Sequence, residues 1–216
     1  MKTGRSYKQF CGIARALDLV GERWALLVVR ELVLGPKRFK DLREGLPGVA
    51  TNVLSQRLRQ LEDDGVVTRR RLPPPASCTV YELTDYGRQL VPILLDLGRW
   101  GASSLGARSP GETLRSEWLA VAMMAFYEPR AAEGLSATIR LDLGDALFTL
   151  RLDRGRLEIA HGSNGPADLT IVADPETLVA SLAGAPIPLQ AEGDRGLLER
   201  LPAIFPFAES TKQRRW

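Results

Sequence analysis

The stretch Thr51 to Gly65, TNVLSQRLRQLEDDG, constrains this chain more than any other. Leu54, Leu58 and Leu61 stand at i, i+4 and i+7, which makes one apolar stripe on a helix. At about 100° per residue, Asn52, Ser55, Gln56 and Arg59 fall on the opposite side. None of the four is acidic and all can donate hydrogen bonds. Asn, Gln and Arg are also the side chains whose geometry matches base edges in a major groove. Thr51 is placed to cap the helix with its hydroxyl, and Gly65 to end it where positive φ is needed. Alone, such a segment reads first as a solvated surface helix packed by three leucines. Its neighbours decide the matter.

On the N-terminal side, Cys11 to Val20 is a short helical pattern with Ile13, Leu17 and Val20 on one face. A longer helix is predicted from about Glu22 to Leu34. It is apolar on most sides, with Trp24, Leu27, Val28 and Leu32 packed, and Gly35-Pro36 stops it. Arg38 to Leu46 follows as a third helix, with Phe39, Leu42 and Leu46 on one face and Lys37, Arg38 and Lys40 at its start. Pro47-Gly48 turns the chain into the Thr51 helix. A short helix, a tight turn and a second helix with a polar outer face make a helix-turn-helix pattern.

After Gly65, Val66 to Leu72 is β-branched and then basic, and Thr79 to Leu83 alternates. Pro73-Pro74-Pro75 between them supplies no amide donors, so it must be a tip rather than a strand interior. A hairpin directly after a recognition helix is the wing of a winged helix, and Arg69, Arg70 and Arg71 are placed to meet phosphates. Thr84-Asp85 then caps a helix from Tyr86 to Leu105, with Leu90, Ile93, Leu94, Leu97 and Trp100 on its apolar side. That stripe lies outside a minimal winged helix and needs a partner. A second copy of the chain is the economical one, since two-fold dimers match two-fold operators; packing on the C-terminal half is the alternative.

Charge separates the two halves. Residues 1–108 carry 18 Lys and Arg against 11 Asp and Glu, net +7, whereas residues 109–216 are net −4. A basic half joined to an acidic half suggests two domains with different partners, the first facing a polyanion. No run of 18 apolar residues exists, so no membrane span is expected, and MKTGRSYKQF is not a secretory signal; a cytoplasmic protein follows. Two cysteines, Cys11 and Cys78, make no disulfide framework, and the single His161 has no metal-ligand cluster around it. His161 and Ser163 share a loop without an orienting third group, and there is no Walker loop or GxGxxG. We therefore expect no catalytic residues, metal or cofactor, and no enzyme.

These residues carry a resemblance. ALDLVGERWALLVVREL with Cys11, GPKRFKDLREGLPGV, VLSQRLRQLEDDGVV and YELTDYG together resemble the HxlR-type winged-helix transcriptional regulators, over about residues 8–105. The resemblance implies a homodimer on a pseudo-palindromic operator in double-stranded DNA, built by the N-terminal segment and the helix after the wing. It implies DNA contacts from Asn52, Ser55, Gln56, Arg57 and Arg59 and from the wing arginines; with Lys37, Arg38 and Thr51 these are the candidate DNA-binding residues. Arg57 lies at the edge of the apolar stripe, which also allows a structural role. The proline-rich wing tip is longer than the resemblance leads one to expect. Some such regulators sense electrophiles through a cysteine at the place of Cys11. The competing expectation, which we prefer, is a small buried residue packing the first helix.

The second half begins after a linker, Ala107 to Gly111. A helix is predicted over Glu112 to Tyr127. Strands follow at Ala137–Leu143, Ala146–Leu152 and Arg156–Ala160 as an antiparallel meander, then Asp168–Val172. Asp174-Pro175 starts a helix to about Leu182, Leu189–Glu192 is a fifth strand, and Asp194 caps a last helix. This is an α+β layer. ADLTIVADPETLVASLAG and LQAEGDRGLLERLPAIFP look like the sterol-carrier-protein fold over about residues 115–207. That resemblance implies an apolar tunnel for a small hydrophobic ligand, with Trp118, Met123, Met124, Phe126, Tyr127, Phe148, Phe205 and Phe207 as candidate walls; each is equally readable as ordinary core. The expected organisation is a winged helix-turn-helix domain over residues 1–106 and a sterol-carrier-like domain over 112–216. Together they would form a ligand-responsive, homodimeric transcription factor. A lipid carrier without DNA function and a Cys11 redox sensor are the alternatives.

Overall fold

A computed structural model of the chain describes residues 6–106, 108–109, 111–163 and 165–207. Parts of the predicted Ala107–Gly111 linker and of the His161 loop, residues 1–5 of the basic N-terminus, and residues 208–216 of the predicted second domain lie outside the described residues. The chain divides into two compact units between Leu94 and Leu95.

The first unit runs α1 (Gly12–Val20), α2 (Ala25–Leu32), α3 (Phe39–Glu44), α4 (Thr51–Asp63), β1 (Val67–Arg71), β2 (Thr79–Leu83) and α5 (Asp85–Arg88), and takes in the start of α6 (Leu90–Ala102). Its core gathers Val28, Val29 and Leu32 of α2, Leu42 of α3 with Leu46, and the leucines of α4. Val66, Val67 and Leu83 at the hairpin base complete it. Helix α2 begins later than the periodicity predicts. Trp24 takes a left-handed conformation at its N-cap, φ 76°, and the buried face becomes Ala25, Val28, Val29 and Leu32. Leu27, predicted to pack, lies two residues from Ala25, on the far side of the turn, and is exposed.

The hairpin pairs Val67 with Leu83 through to Arg71 with Thr79, antiparallel. Lys37 adds a short bridge beside Tyr81, exchanging backbone hydrogen bonds of 2.9 and 2.8 Å. The helix predicted from Tyr86 to Leu105 is two pieces. Thr84 caps α5 by accepting from the Gly87 amide, at 2.9 Å, and the chain breaks at Gln89 before α6. Gly87 sits where a Cβ would meet the Val66 carbonyl oxygen at 2.0 Å, so the backbone there passes directly over the end of α4 and the hairpin base.

The second unit continues with α7 (Ser116–Ala125), β3 (Ser136–Asp142), β4 (Leu147–Asp153), β5 (Arg156–His161), β6 (Leu169–Val172), α8 (Pro175–Leu182), β7 (Gln190–Gly193) and α9 (Arg195–Ile204). Helix α7 starts four residues later than predicted, where the fully buried Ser116 donates its hydroxyl to Asp145 in the β3–β4 turn. The sheet order is β5-β4-β3-β6-β7. The meander forms as expected, but β6 joins the other side of β3 in parallel. Ile139, Leu141, Phe148, Leu150, Leu152, Leu169 and Ile171 are buried, and Leu119, Leu178, Leu182, Leu197 and Leu201 of the helices are buried with them. Asp174 and Asp194 cap α8 and α9, accepting from Thr177 at 2.9 Å and Leu197 at 3.0 Å.

Candidate nucleic-acid interface

Helix α4 is held from behind and capped below. Leu54, Leu58 and Leu61 are buried in the core, as the i, i+4, i+7 stripe requires. At the C-terminus Gly65 takes φ 72°; its amide bonds Glu62 O at 3.0 Å and the Val66 amide bonds Leu61 O at 2.9 Å. These are the paired bonds of a Schellman motif, which fixes the exit into β1. The N-cap is Ala50, not Thr51, and makes no side-chain cap. Thr51 is the first helical residue, and its carbonyl accepts the Ser55 hydroxyl at 2.9 Å.

The outer face carries Asn52, Gln56 and Arg59, all exposed, with Ser55 half-buried. Arg59 lies along the helix, its Nε 3.3 Å from Ser55 O. Arg57 is not on this face. It is 8% exposed and donates to Gln60 at 2.6 Å and to Glu22 at 3.4 Å, tying α4 to the α1–α2 connection.

The basic residues before α3 divide. Arg38 is exposed at the N-cap, its amide bonded to Asp41 at 3.0 Å. Lys37 is turned inward, with its ammonium 2.8 Å from Oε2 of the buried Glu31. Glu31 also binds Arg30 at 2.8 Å, and Arg30 reaches the Gly45 carbonyl. This charged knot joins α2, the start of α3 and its end.

In the wing, Arg69 donates through Nε to Glu62 of α4 at 2.7 Å. Arg70 grips Glu82 of β2 with Nε and Nη2, at 2.8 and 3.0 Å. The hydrogen bond from Arg70 holds the Glu82 carboxyl below its ordinary range. Arg71 is exposed and has no ion pair among the described residues. Neither Glu62 nor Glu82 stands out in the linear sequence. The hairpin register brings Glu82 diagonally opposite Arg70, and the turn after Gly65 brings Glu62 to Arg69. Beside Glu82, at the wing root, an open cavity of about 290 Å³ is walled by Leu32, Pro36, Leu83, Arg88 and Val91.

Two apolar surfaces of the N-terminal half stay uncovered: Phe10, Ile13 and Leu17 around α1, and Ile93, Leu97 and Trp100 on α6. Cys11 is exposed at the N-cap of α1, contrary to the expectation of a buried packing residue. The backbone amides of Ala14 and then Ile13, at the exposed N-terminus of α1, lower its thiol pKa, although the thiol makes no capping hydrogen bond. Cys78 is half-exposed at the wing tip.

In the second unit Met123, Phe148, Phe205 and Phe207 are buried, while Trp118, Met124, Phe126 and Tyr127 are half-buried. Four of these eight come together in ring contacts: Phe126 with Phe207 at 5.1 Å and Tyr127 with Phe205 at 6.0 Å. Phe148 instead stacks beside His161, at 4.9 Å, on the sheet. The Tyr127 hydroxyl is buried without a hydrogen-bond partner among the described residues, and burial raises its pKa.

The sequence pattern of the HxlR-like helix-turn-helix family matches residues 19–109, and that of the SCP-2 sterol transfer family matches residues 125–205. The uncharacterised HTH-type transcriptional regulator YvaP of Bacillus subtilis is 40% identical over 86 residues, which cover 40% of this chain and 80% of YvaP. The chain belongs to the HxlR-like helix-turn-helix family. The HTH-type transcriptional regulator YodB of the same organism is 33% identical over 102 residues, 47% of this chain and 88% of YodB. Among solved structures, the redox regulator HypR in its oxidized form is 33% identical, covering 45% of this chain and all of HypR, with a TM-score of 0.42. This HxlR-like chain is thus a helix-turn-helix transcriptional regulator with an SCP-2 domain at its C-terminus. Among its described residues no helix is long and apolar enough to cross a membrane.

Proposed function

We propose that the chain is a homodimeric regulator that binds a pseudo-palindromic operator through residues 1–106 and is controlled by a small hydrophobic ligand held by residues 112–216. The observation that carries the DNA-binding part is α4 itself: three buried leucines anchor it, and Asn52, Gln56 and Arg59 line its exposed face. Arg38 and Arg71 are the exposed cations best placed for phosphates. Lys37 and Arg57, held inward by Glu31 and Glu22, serve the scaffold instead. The uncovered stripes on α1 and α6 support dimerisation, since exposed apolar patches of this kind mark interfaces. This reading implies a cytoplasmic protein.

Ligand control would work by linkage: the ligand prefers one arrangement of the dimer and DNA the other. The aromatic group at Phe126, Tyr127, Phe205 and Phe207 supports an apolar site in the SCP-2 domain. Native mass spectrometry of the purified protein, followed by operator selection from a random duplex pool, tests both parts. A dimer that enriches palindromic duplexes and carries a few hundred daltons of extra mass per chain is expected. A monomer that enriches nothing refutes the DNA-binding part, and a clean apo dimer with DNA affinity unchanged across a lipid panel refutes ligand control.

The exposure of Cys11 and its lowered pKa favour a second reading, control through that thiol. Cys11→Ser should abolish any response of DNA binding to oxidants; an intact response removes this reading.

A further inference from the structure

The three wing arginines differ in what they can offer DNA. In the hairpin register Arg69 faces Tyr81, Arg71 faces Thr79 and Arg70 faces Val80, so Arg69 and Arg71 share one face and Arg70 lies on the other. Each face carries a carboxylate. Glu62, from the last turn of α4, meets the Arg69 Nε at 2.7 Å. Glu82, two positions along β2 from Val80, takes both Nε and Nη2 of Arg70. Both carboxylates are more sheltered than their partners, 19% exposed against 59% for Arg69 and 48% for Arg70. The acids are therefore the fixed members of these pairs, and the guanidinium groups are the ends that water and ligands reach.

We propose that Glu62 and Glu82 are brakes on the wing: they neutralise Arg69 and Arg70 in the free protein, so that a phosphate must displace or share a carboxylate before it gains either contact. The proposal rests on the DNA-binding reading above. Non-specific affinity comes almost wholly from cations that release counterions from DNA, whereas specificity is the ratio of operator to non-specific affinity. A wing that lends only Arg71 freely holds random DNA weakly. An operator that docks the exposed face of α4 against its bases brings the phosphates close enough for the exchange. The two bonds from Arg70 to Glu82, at 2.8 and 3.0 Å, engage both carboxylate oxygens, and they lower the pKa of that carboxyl.

Glu62→Gln and Glu82→Gln test this, because each keeps the side-chain shape and an oxygen acceptor while removing the charge. The probe is a random-sequence 30-base-pair duplex, read by fluorescence anisotropy across a salt series with the full-length chain. Each variant should bind about three- to tenfold tighter at ~0.1 M salt, and its log–log salt slope should steepen by roughly one. Arg71→Ala should do the opposite. Weaker binding, or an unchanged slope with wild-type circular dichroism, would overturn the proposal and make these acids orienting or purely structural groups. If wild type binds the duplex with normal salt dependence while the Gln variants match it, only the brake fails. If neither wild type nor variants bind any duplex, the DNA-binding reading fails with it.

Discussion

Glu31 offers the sharpest test of how the first unit is held together. It is 3% exposed and receives Arg30 and Lys37, each at 2.8 Å. Replacing it with Ala leaves two cations around an empty, sheltered site. Removing one partner of a buried pair costs about 3–5 kcal/mol, because the remaining charge loses its compensation. Here the Arg30 and Lys37 side chains keep 21% and 13% of their exposure, so both can turn partly to water. We therefore expect the lower end, about 3 kcal/mol. A chain of two units need not unfold in one step, so a single melting temperature is a poor readout. Native-state hydrogen exchange at the Leu58 and Leu61 amides reports the first unit directly. A loss of about 3 kcal/mol means exchange roughly 150-fold faster. Glu31→Leu combined with Lys37→Met should recover at least half of that loss, since an apolar replacement removes the stranded ammonium as well. Less than a fivefold change for Glu31→Ala would refute the reasoning. It would mean that the knot is solvated and that Lys37 is free to reach phosphates after all.

Three further outcomes follow from the same geometry. Gly87→Ala places a Cβ at 2.0 Å from the Val66 carbonyl oxygen and 3.0 Å from its carbon. Both are backbone atoms, so exchange at the Leu58 amide should show a loss of about 1–3 kcal/mol. Tyr127→Phe removes a buried hydroxyl that has no partner among the described residues, so calorimetry should find the second unit unchanged or more stable by up to ~1 kcal/mol. A loss larger than that would mean that the hydroxyl is satisfied. Cys11 is exposed and its thiol pKa is lowered, whereas Cys78 is only half-exposed, so iodoacetamide at neutral pH should alkylate Cys11 before Cys78. Equal rates, or a reactivity midpoint at the ordinary thiol pKa, would contradict this.

The period of the apolar residues foretold the order of the elements in both units, because burial of one face is what sets that period. Leu54, Leu58 and Leu61 went to the core, and Gly65 took the positive φ that ends α4. Turn chemistry was similarly legible: Asp174-Pro175 and Asp194 start α8 and α9 where their side chains can accept an amide. Periodicity gave less at helix starts and breaks. Trp24 shifts the start of α2, and the break at Gln89 is set by Gly87 passing over Val66, a contact between residues far apart in sequence. The parallel placement of β6 beside β3 was hidden for the same reason, since an alternating strand reads alike whichever neighbour it takes.

For the site, residue type was legible and availability was not. A lysine before a helix-turn-helix and three arginines on a hairpin look like one basic surface when counted along the chain. In the fold, Lys37 belongs to Glu31, Arg57 to Gln60 and Glu22, and Arg69 and Arg70 to Glu62 and Glu82. Charge at an interface is the sum of what is unpaired, and pairing depends on contacts that only register and packing create. Summed in that way, the cations without a carboxylate partner shrink to Arg38, Arg59 and Arg71 among the described candidates. If this face meets DNA as proposed, the hydrogen-bonding groups Asn52 and Gln56 become a larger share of what it offers. On the DNA-binding reading proposed above, a protein so arranged would rely less on attraction to any duplex and more on the bases it meets.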